Sequence, residues 1–192
     1  VEDLGVQRII TTEIEHHCVM HTAEYLNAKH GVELVVLPVD EYGKISLQDL
    51  ETHLASSDLK TLVTIMHANN EIGVLQDIKA IGQLCRQFNA LFHTDTVQTF
   101  AHYILDTTEI PVDFLSAAAH KFHGPKGVGF LYMRKTARVG SFIHGGGQER
   151  NQRAGTENVA GIVGMAFAAQ KAYKNIDADI EHICSLKQYA IE

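Results

Sequence analysis

Short, strongly apolar runs alternate along the chain with longer segments of helical periodicity. This alternation is typical of an α/β sheet whose parallel strands are joined by crossover helices. We therefore predict an α/β protein with a mostly parallel sheet and helices on both faces. The predicted strands are Arg8 to Thr12, Leu34 to Val39, Thr61 to Met66, Leu91 to Asp95, Phe114 to Ala118 and Val128 to Met133.

Two helices stand out by their periodicity. The first runs from Asp77 to Asn89, with Asp77 as its N-cap. The second begins near 156–158 and passes Ala172. The residues expected to pack inward are Ile78, Ile81, Leu84, Cys85 and Phe88 on the first helix, and Ile162, Met165, Ala166 and Ala169 on the second.

Charge and composition narrow the functional classes. The chain has 192 residues and a formal net charge of −7, which argues against a nucleic-acid partner because such partners require a clustered basic face. Apolar runs such as Leu34 to Pro38 are far shorter than the ~20 residues of a membrane helix. The 3 cysteines form neither an even disulfide framework nor a CxxC pair, which fits a reducing compartment. We expect a cytoplasmic protein that binds neither nucleic acid nor membrane.

A lysine follows the fifth predicted strand in an unusual setting. Three alanines precede His120 and Lys121, and such small residues leave room for a ligand close to the backbone. Ligands of open α/β sheets bind at the carboxyl ends of strands. Lys121 is therefore a candidate for forming a Schiff base. The alternative interpretation is a solvated surface lysine.

An acid ends the fourth predicted strand. Burying Asp95 there without a cationic partner costs free energy, and a protonated pyridine nitrogen is such a partner. A carboxylate in that position keeps pyridoxal phosphate (PLP) protonated, so that the cofactor acts as an electron sink. Gln98 follows three residues later and can donate to the phenolic oxygen of the ring. The alternative is that Asp95 is a helix N-cap.

Polar residues also follow the first and third predicted strands. His16 can stack on a flat aromatic cofactor and exchange protons near neutral pH. Asn70 offers an uncharged donor within the run His67 to Gly73. Each residue alone is compatible with a structural role in a turn. Their combination at successive strand ends favours one shared site.

Taken together, these motifs resemble the cysteine desulfurases, which are PLP enzymes of the class V aminotransferase group. The resemblance implies the large domain of a fold-type I PLP-dependent transferase. The motifs appear in the order of the family and are Glu15-His16, His67 to Gly73, Asp95 with Gln98, His120-Lys121 with Gly124-Pro125-Lys126-Gly127, and His144 to Arg150 leading to Arg153-Ala154-Gly155-Thr156.

The resemblance implies a role for each candidate residue. Lys121 forms the internal aldimine with PLP, and His16 stacks on the ring and takes part in proton transfer. Asp95 pairs with the ring nitrogen. Asn70 and Gln98 contact the side of the phenolic oxygen.

The resemblance also implies a homodimer. His120 helps to hold the phosphate of the cofactor in its own subunit, whereas Thr156 contacts the phosphate that the other subunit binds. One phosphate contact of the family is missing, because Ala118 stands where the family usually has a serine.

The activity implied is conversion of L-cysteine to L-alanine, with the sulfur passed as a persulfide to a sulfur-acceptor or scaffold protein, as in iron-sulfur cluster assembly. Another class V reaction, selenocysteine lysis or transamination, uses the same cofactor residues and stays open. So does an inactive dimerising fragment. No HExxH or comparable spacing is present, so no metal site is predicted.

Two segments of the family have no counterpart in the sequence. These are the N-terminal phosphate-binding loop and the C-terminal small domain, which carries the nucleophilic cysteine. We therefore expect residues 1–192 to be the central PLP-binding large domain of a longer enzyme. Cys85 and Cys184 are expected in the core, Cys18 is ambiguous, and none matches the family's nucleophile.

Overall fold

The computed structural model describes residues 1–137 and 139–192. All of the predicted strands are present, although β2, β3 and β6 have slightly different bounds. The elements are β1 (Arg8–Thr12), α1 (His17–His30), β2 (Glu33–Leu37), α2 (Leu47–Ala55), β3 (Thr61–Thr64), α3 (Ile78–Gln87), β4 (Leu91–Asp95), β5 (Phe114–Ala118), a 3-10 turn (Ala119–Phe122), β6 (Gly129–Met133), α4 (Gln148–Asn151) and α5 (Val159–Ile191).

The strands form one sheet in the order β2-β1-β3-β4-β5-β6. All neighbours are parallel except β6, which runs antiparallel to β5. The prediction of an α/β fold with a mostly parallel sheet is confirmed. The chain leaves β1 on one side to form β2 and then returns to form β3 on the other side. This reversal makes the gap between β1 and β3 a topological switch point, where open α/β sheets bind ligands.

Helices cover both faces of the sheet, as predicted. Successive strand residues point to opposite faces, and Ile9 and Ile10 illustrate this. Ile10 belongs to a core with residues of α2 and α3, including Leu50 and Ile81. Ile9 belongs to a second core with Ala23 of α1.

Helix α3 agrees closely with its sequence pattern. The Asp77 side chain accepts a hydrogen bond from the N–H group of Ala80 at 2.9 Å and so caps the helix. Ile78, Ile81 and Cys85 are buried against the sheet. The predicted apolar face is therefore the face that packs.

Helix α5 packs along a narrower stripe than its sequence predicts. Met165 and Ala169 face the 3-10 turn, but Ile162 and Ala166 are exposed, so their predicted burial is wrong. The helix meets the rest of the chain along a single line of residues, and these two positions lie to one side of it. Cys184 is also exposed rather than in the core, because it lies beyond Ile176, the last buried residue of α5.

No helix in the described part of the chain combines the length and the apolar character needed to span a membrane.

Candidate functional site

The carboxyl ends of β1, β3, β4 and β5 are neighbours at one edge of the sheet. Parallel strands end at the same edge, so the segments that follow them must lie side by side. Those segments carry His16, Asn70, Asp95 with Gln98, and His120 with Lys121. The sheet thus brings together four sequence segments that lie far apart in the chain, and we call the space above them the crevice.

Hydrogen bonds fix the segments to one another. Oε1 of Glu15 accepts the N–H group of Met66 at 2.6 Å, which joins the end of β1 to the segment after β3. The next N–H group, that of His67, donates to the carbonyl oxygen of Asp95 at 2.9 Å. The segment after β3 is therefore held from both sides.

His16 is the N-cap of α1, and its side chain is engaged at one nitrogen. Nδ1 accepts the main-chain N–H of Cys18 at 3.2 Å and lies 3.0 Å from the thiol sulfur of the same residue. A ring nitrogen that accepts an N–H group carries no proton. Neutral His16 therefore has its proton on Nε2, and Nε2 is the nitrogen available to a ligand.

Asp95 is the last residue of β4 and only 8% exposed. Its Oδ1 accepts the N–H group of Val97 at 2.8 Å. Burial raises the pKa of Asp95, while the Val97 N–H group and the charge of His16 act in the opposite direction. A turn, not a helix, follows Asp95, so the alternative of a helix N-cap is wrong. Gln98 lies half-buried in that turn.

The 3-10 turn after β5 presents His120 and Lys121. Both side chains are exposed, whereas Ala119 and Phe122 on either side of them are buried. His102 Nε2 donates to the main-chain carbonyl of Lys121 at 3.1 Å. The backbone that carries the lysine is thus anchored at several points while its amine remains accessible.

Asn70 makes fewer contacts than the residue before it. Asn70 is exposed, whereas Asn69 is buried and donates through Nδ2 to the carbonyl of Ile14 at 2.7 Å. Oδ1 of Asn69 accepts the N–H groups of Glu71 and Ile72. Asn69 is a structural residue that the sequence did not single out. Asparagine followed by a turn is the signal that would have identified it.

Thr156 does not belong to a segment that directly follows one of these four strands. It lines a cavity of about 700 Å³ along β6, together with Gly129, Leu131 and Arg153. Within the described residues, no hydrogen bond joins Thr156 to the residues of the crevice. The structure therefore gathers six of the seven predicted site residues at one sheet edge, whereas Thr156 lines the cavity along β6.

The side chains of the crevice suit PLP. The cofactor needs an amine for covalent attachment and an acid opposite its ring nitrogen, and Lys121 and Asp95 supply these groups. In the described part of the chain, no lysine or arginine forms an ion pair with Asp95. This buried acid thus lacks the cationic partner that a protonated ring nitrogen would provide.

Comparisons with known proteins agree with this arrangement. The family model described as Aminotransferase class-V matches residues 5–192. The chain is 48% identical to a cysteine desulfurase IscS of Clostridium botulinum over 93% of its own length and 44% of that protein. It is 45% identical to a cysteine desulfurase IscS of Dictyoglomus turgidum over 96% of its length and 46% of that protein. The chain therefore spans about half the length of these curated relatives.

Solved structures show the same fold. A structure described as a NifS-like protein superposes with a TM-score of 0.92 at 40% identity, covering 97% of this chain and 51% of that one. A structure described as SspA in complex with cysteine gives a TM-score of 0.81 at 38% identity, over 86% of this chain and 47% of that one.

Proposed function

Because the chain belongs to the class-V aminotransferase family, we propose that the whole protein is a PLP-dependent cysteine desulfurase. In this reaction L-cysteine and an acceptor thiol give L-alanine and an acceptor persulfide. The carbon–sulfur bond of cysteine breaks, a sulfur–sulfur bond forms, and the thiol proton accounts for the hydrogen gained by alanine.

The observation that carries this proposal is the meeting of Lys121, Asp95 and His16 at the carboxyl ends of neighbouring parallel strands. An amine can attach PLP covalently, a buried acid can hold its ring nitrogen protonated, and an imidazole can exchange protons with the substrate. The names of the relatives support the choice of L-cysteine as the substrate.

PLP, when bound, supplies an electron sink that stabilises negative charge on the substrate's α-carbon. Lys121 would hold the cofactor through its amine. Asp95 would hold the ring nitrogen in its protonated form. His120 would bind the phosphate, and Asn70 and Gln98 would bind the phenolic-oxygen side of the ring.

His16 would stack on the ring and move protons at Nε2. The engagement of Nδ1 by the Cys18 N–H group supports this choice of nitrogen. An N-cap residue is held by its own helix, so the imidazole would keep its orientation while a proton is exchanged.

Thr156 would bind the phosphate held by a second copy of the chain. In the described part of its own chain Thr156 makes no hydrogen bond to the crevice residues, which supports this role, and the active protein would then be a homodimer. Each site of such a dimer would be incomplete without the segment around Thr156 from the other subunit.

Neither Cys85 nor Cys18 has the character of a sulfur-accepting thiolate. Burial raises the pKa of Cys85 to about 12, which makes that thiol inert at neutral pH. Partial burial and the charge of Asp95 also raise the pKa of Cys18. Cys184 lies on α5 beyond Ile176. We propose that the acceptor thiol is supplied by a partner protein or by a part of the enzyme outside these residues.

Product analysis of the full-length, PLP-loaded protein tests the proposal. With L-cysteine and an excess of a thiol reductant, we expect alanine and sulfide in equal amounts. Formation of a keto acid instead would indicate transamination. A strong preference for selenocysteine, with release of selenide, would indicate a lyase for that substrate. Absence of any product, together with absence of protein-bound absorption in the aldimine region after PLP is added and its excess removed, would indicate an inactive dimerising fragment.

A further inference from the structure

Glu15 has an unusual position for an acid. It is 7% exposed and lies at the switch point between β1 and β3, directly before His16. Oε1 accepts hydrogen bonds from the N–H group of Met66 at 2.6 Å and from the hydroxyl of Thr12 at 3.3 Å. Through Oε1, Glu15 thus connects the end of β1 to the segment after β3.

The second oxygen of the same carboxyl group has no partner. Oε2 of Glu15 is buried and receives no hydrogen bond in the described part of the chain. A buried anionic oxygen without a donor or a cation is costly. A proton on Oε2 removes most of that cost, because the group then becomes neutral.

The charge near Glu15 also favours the protonated form of its carboxyl group. Asp95 of β4 lies close enough to raise its pKa by like-charge repulsion. Helix α1 contributes the thiol of Cys18, which is neutral at neutral pH, and the segment after β3 contributes only the Met66 N–H group. Burial is the largest cause, and the pKa of Glu15 rises from 4.5 to about 7.

We propose that Glu15 is a positioning residue that carries a proton on Oε2 near neutral pH and thereby limits this end of the crevice to one negative charge, that of Asp95. The inference rests on the proposed cofactor site. The inference extends the proposed function, because the negative charge near the ring nitrogen then depends on Glu15 as well as on Asp95.

This role predicts how the bound cofactor titrates. At high pH, ionised Glu15 adds a second negative charge near Asp95, which favours the protonated form of the bound cofactor. The variant Glu15→Gln stays neutral at every pH. Its cofactor should therefore lose its proton at a lower pH than in the wild type, with a midpoint lower by about one pH unit.

The test uses the full-length protein and two measurements. Infrared spectroscopy detects the C=O stretch of a neutral carboxylic acid at pH 6 in the PLP-free protein. Visible absorption detects the titration midpoint of bound PLP. Glu13→Gln is the matched control, because Glu13 also accepts a main-chain N–H group, that of Val39, but is exposed.

We expect the acid band to disappear in Glu15→Gln and to persist in Glu13→Gln. Only Glu15→Gln should shift the visible midpoint. The proposal would be overturned if Glu15→Gln retained the acid band. It would also be overturned if the visible midpoint were the same in both variants and the wild type. Failure of the wild type to bind PLP would instead contradict the proposed function, and the infrared measurement would still decide the protonation of Glu15.

A second variant tests the proposal with the carboxyl group in place. Thr12→Val removes the hydroxyl that donates to Oε1, and this hydroxyl stabilises the ionised form. The acid band of Glu15 should then persist to a higher pH than in the wild type. A band that disappears at the same or a lower pH would contradict the proposal.

Discussion

The hydroxyl of Thr64 lies 2.7 Å from Nδ1 of His93, on the strand next to it. Nε2 of the same ring lies 3.3 Å from the hydroxyl of Ser116 on the following strand. His93 precedes Asp95 by two residues, so both side chains point to the same face of the sheet. A polar row therefore crosses three strands next to the acid of the crevice.

The first prediction concerns the pH dependence of stability. Burial lowers the pKa of His93 from 6.5 to about 4, so the folded protein holds this ring neutral. Its stabilising contribution is complete above pH 6.5 and is lost as the pH falls towards 4. The loss amounts to at most about 3 kcal/mol, since one pKa unit corresponds to about 1.4 kcal/mol. His93→Gln should flatten this part of the curve of unfolding free energy against pH.

Urea unfolding between pH 4 and 8 measures this effect. The exposed His182 supplies the control, and His182→Gln should retain the wild-type slope. An unchanged slope in His93→Gln would show that the ring does not titrate as described.

The second prediction concerns covalent attachment of the cofactor. Borohydride treatment of the PLP-loaded, full-length protein should fix the cofactor to Lys121, as peptide mass spectrometry would show. Lys121→Ala should lower desulfurase activity at least about 100-fold, because the amine also exchanges protons. Lys135→Ala, which removes an exposed lysine, should behave as the wild type. Recovery of the cofactor on another lysine would remove the assignment.

The third prediction separates the charge of Asp95 from its shape. Asp95→Asn retains an oxygen that can accept the Val97 N–H group, so the fold should be preserved. The neutral amide no longer favours a protonated ring nitrogen. We expect activity to fall about 100-fold or more, with a changed visible spectrum of bound PLP. Wild-type activity in this variant would mean that the ring nitrogen has another partner.

The fourth prediction concerns another buried acid, Asp113. Its Oδ2 accepts the N–H group of Phe92 at 2.9 Å, and its Oδ1 lies 3.4 Å from Arg134 and 3.6 Å from Arg86. Asp113→Ala should cost about 3 kcal/mol of unfolding free energy, because it leaves an N–H group without its acceptor and two cations without their anion.

The exposed pair of Lys79 and Glu109 provides the comparison for Asp113. Its atoms are 3.2 Å apart, but both side chains are more than half exposed. Glu109→Ala should therefore change the unfolding free energy by less than about 1 kcal/mol. Equal effects of the two substitutions in thermal or urea unfolding would contradict this account of Asp113.

Sequence patterns predicted the sheet well because strand positions depend on local composition. β1, β4 and β5 have their predicted bounds, and the apolar face of α3 packs as its periodicity indicates. On α5 the same reasoning fails for Ile162 and Ala166. Periodicity shows which residues share a face of a helix, but the width of the contact depends on what the helix meets.

The sequence likewise predicted some residues of the site and missed others. The sequence identified Asp95 and Lys121 as candidates because polar residues at predicted strand ends can be recognised. In a parallel sheet these strand ends meet at one edge. The burial of Glu15 and the partners of His93 depend instead on pairings between distant strands, which composition does not reveal. The roles implied by the resemblance for the individual crevice residues stay predictions until the experiments above are done.

The parallel arrangement of the sheet also has a consequence for how the protein folds. Each parallel pairing joins segments separated by a crossover, and such non-local contacts form slowly. His16 is synthesised before Lys121, but the segments that carry them cannot share one sheet edge until β3 and β4 have docked between β1 and β5. We therefore expect that a nascent or partly folded chain would have no place for the proposed vitamin-derived cofactor, and that only the finished sheet could load it.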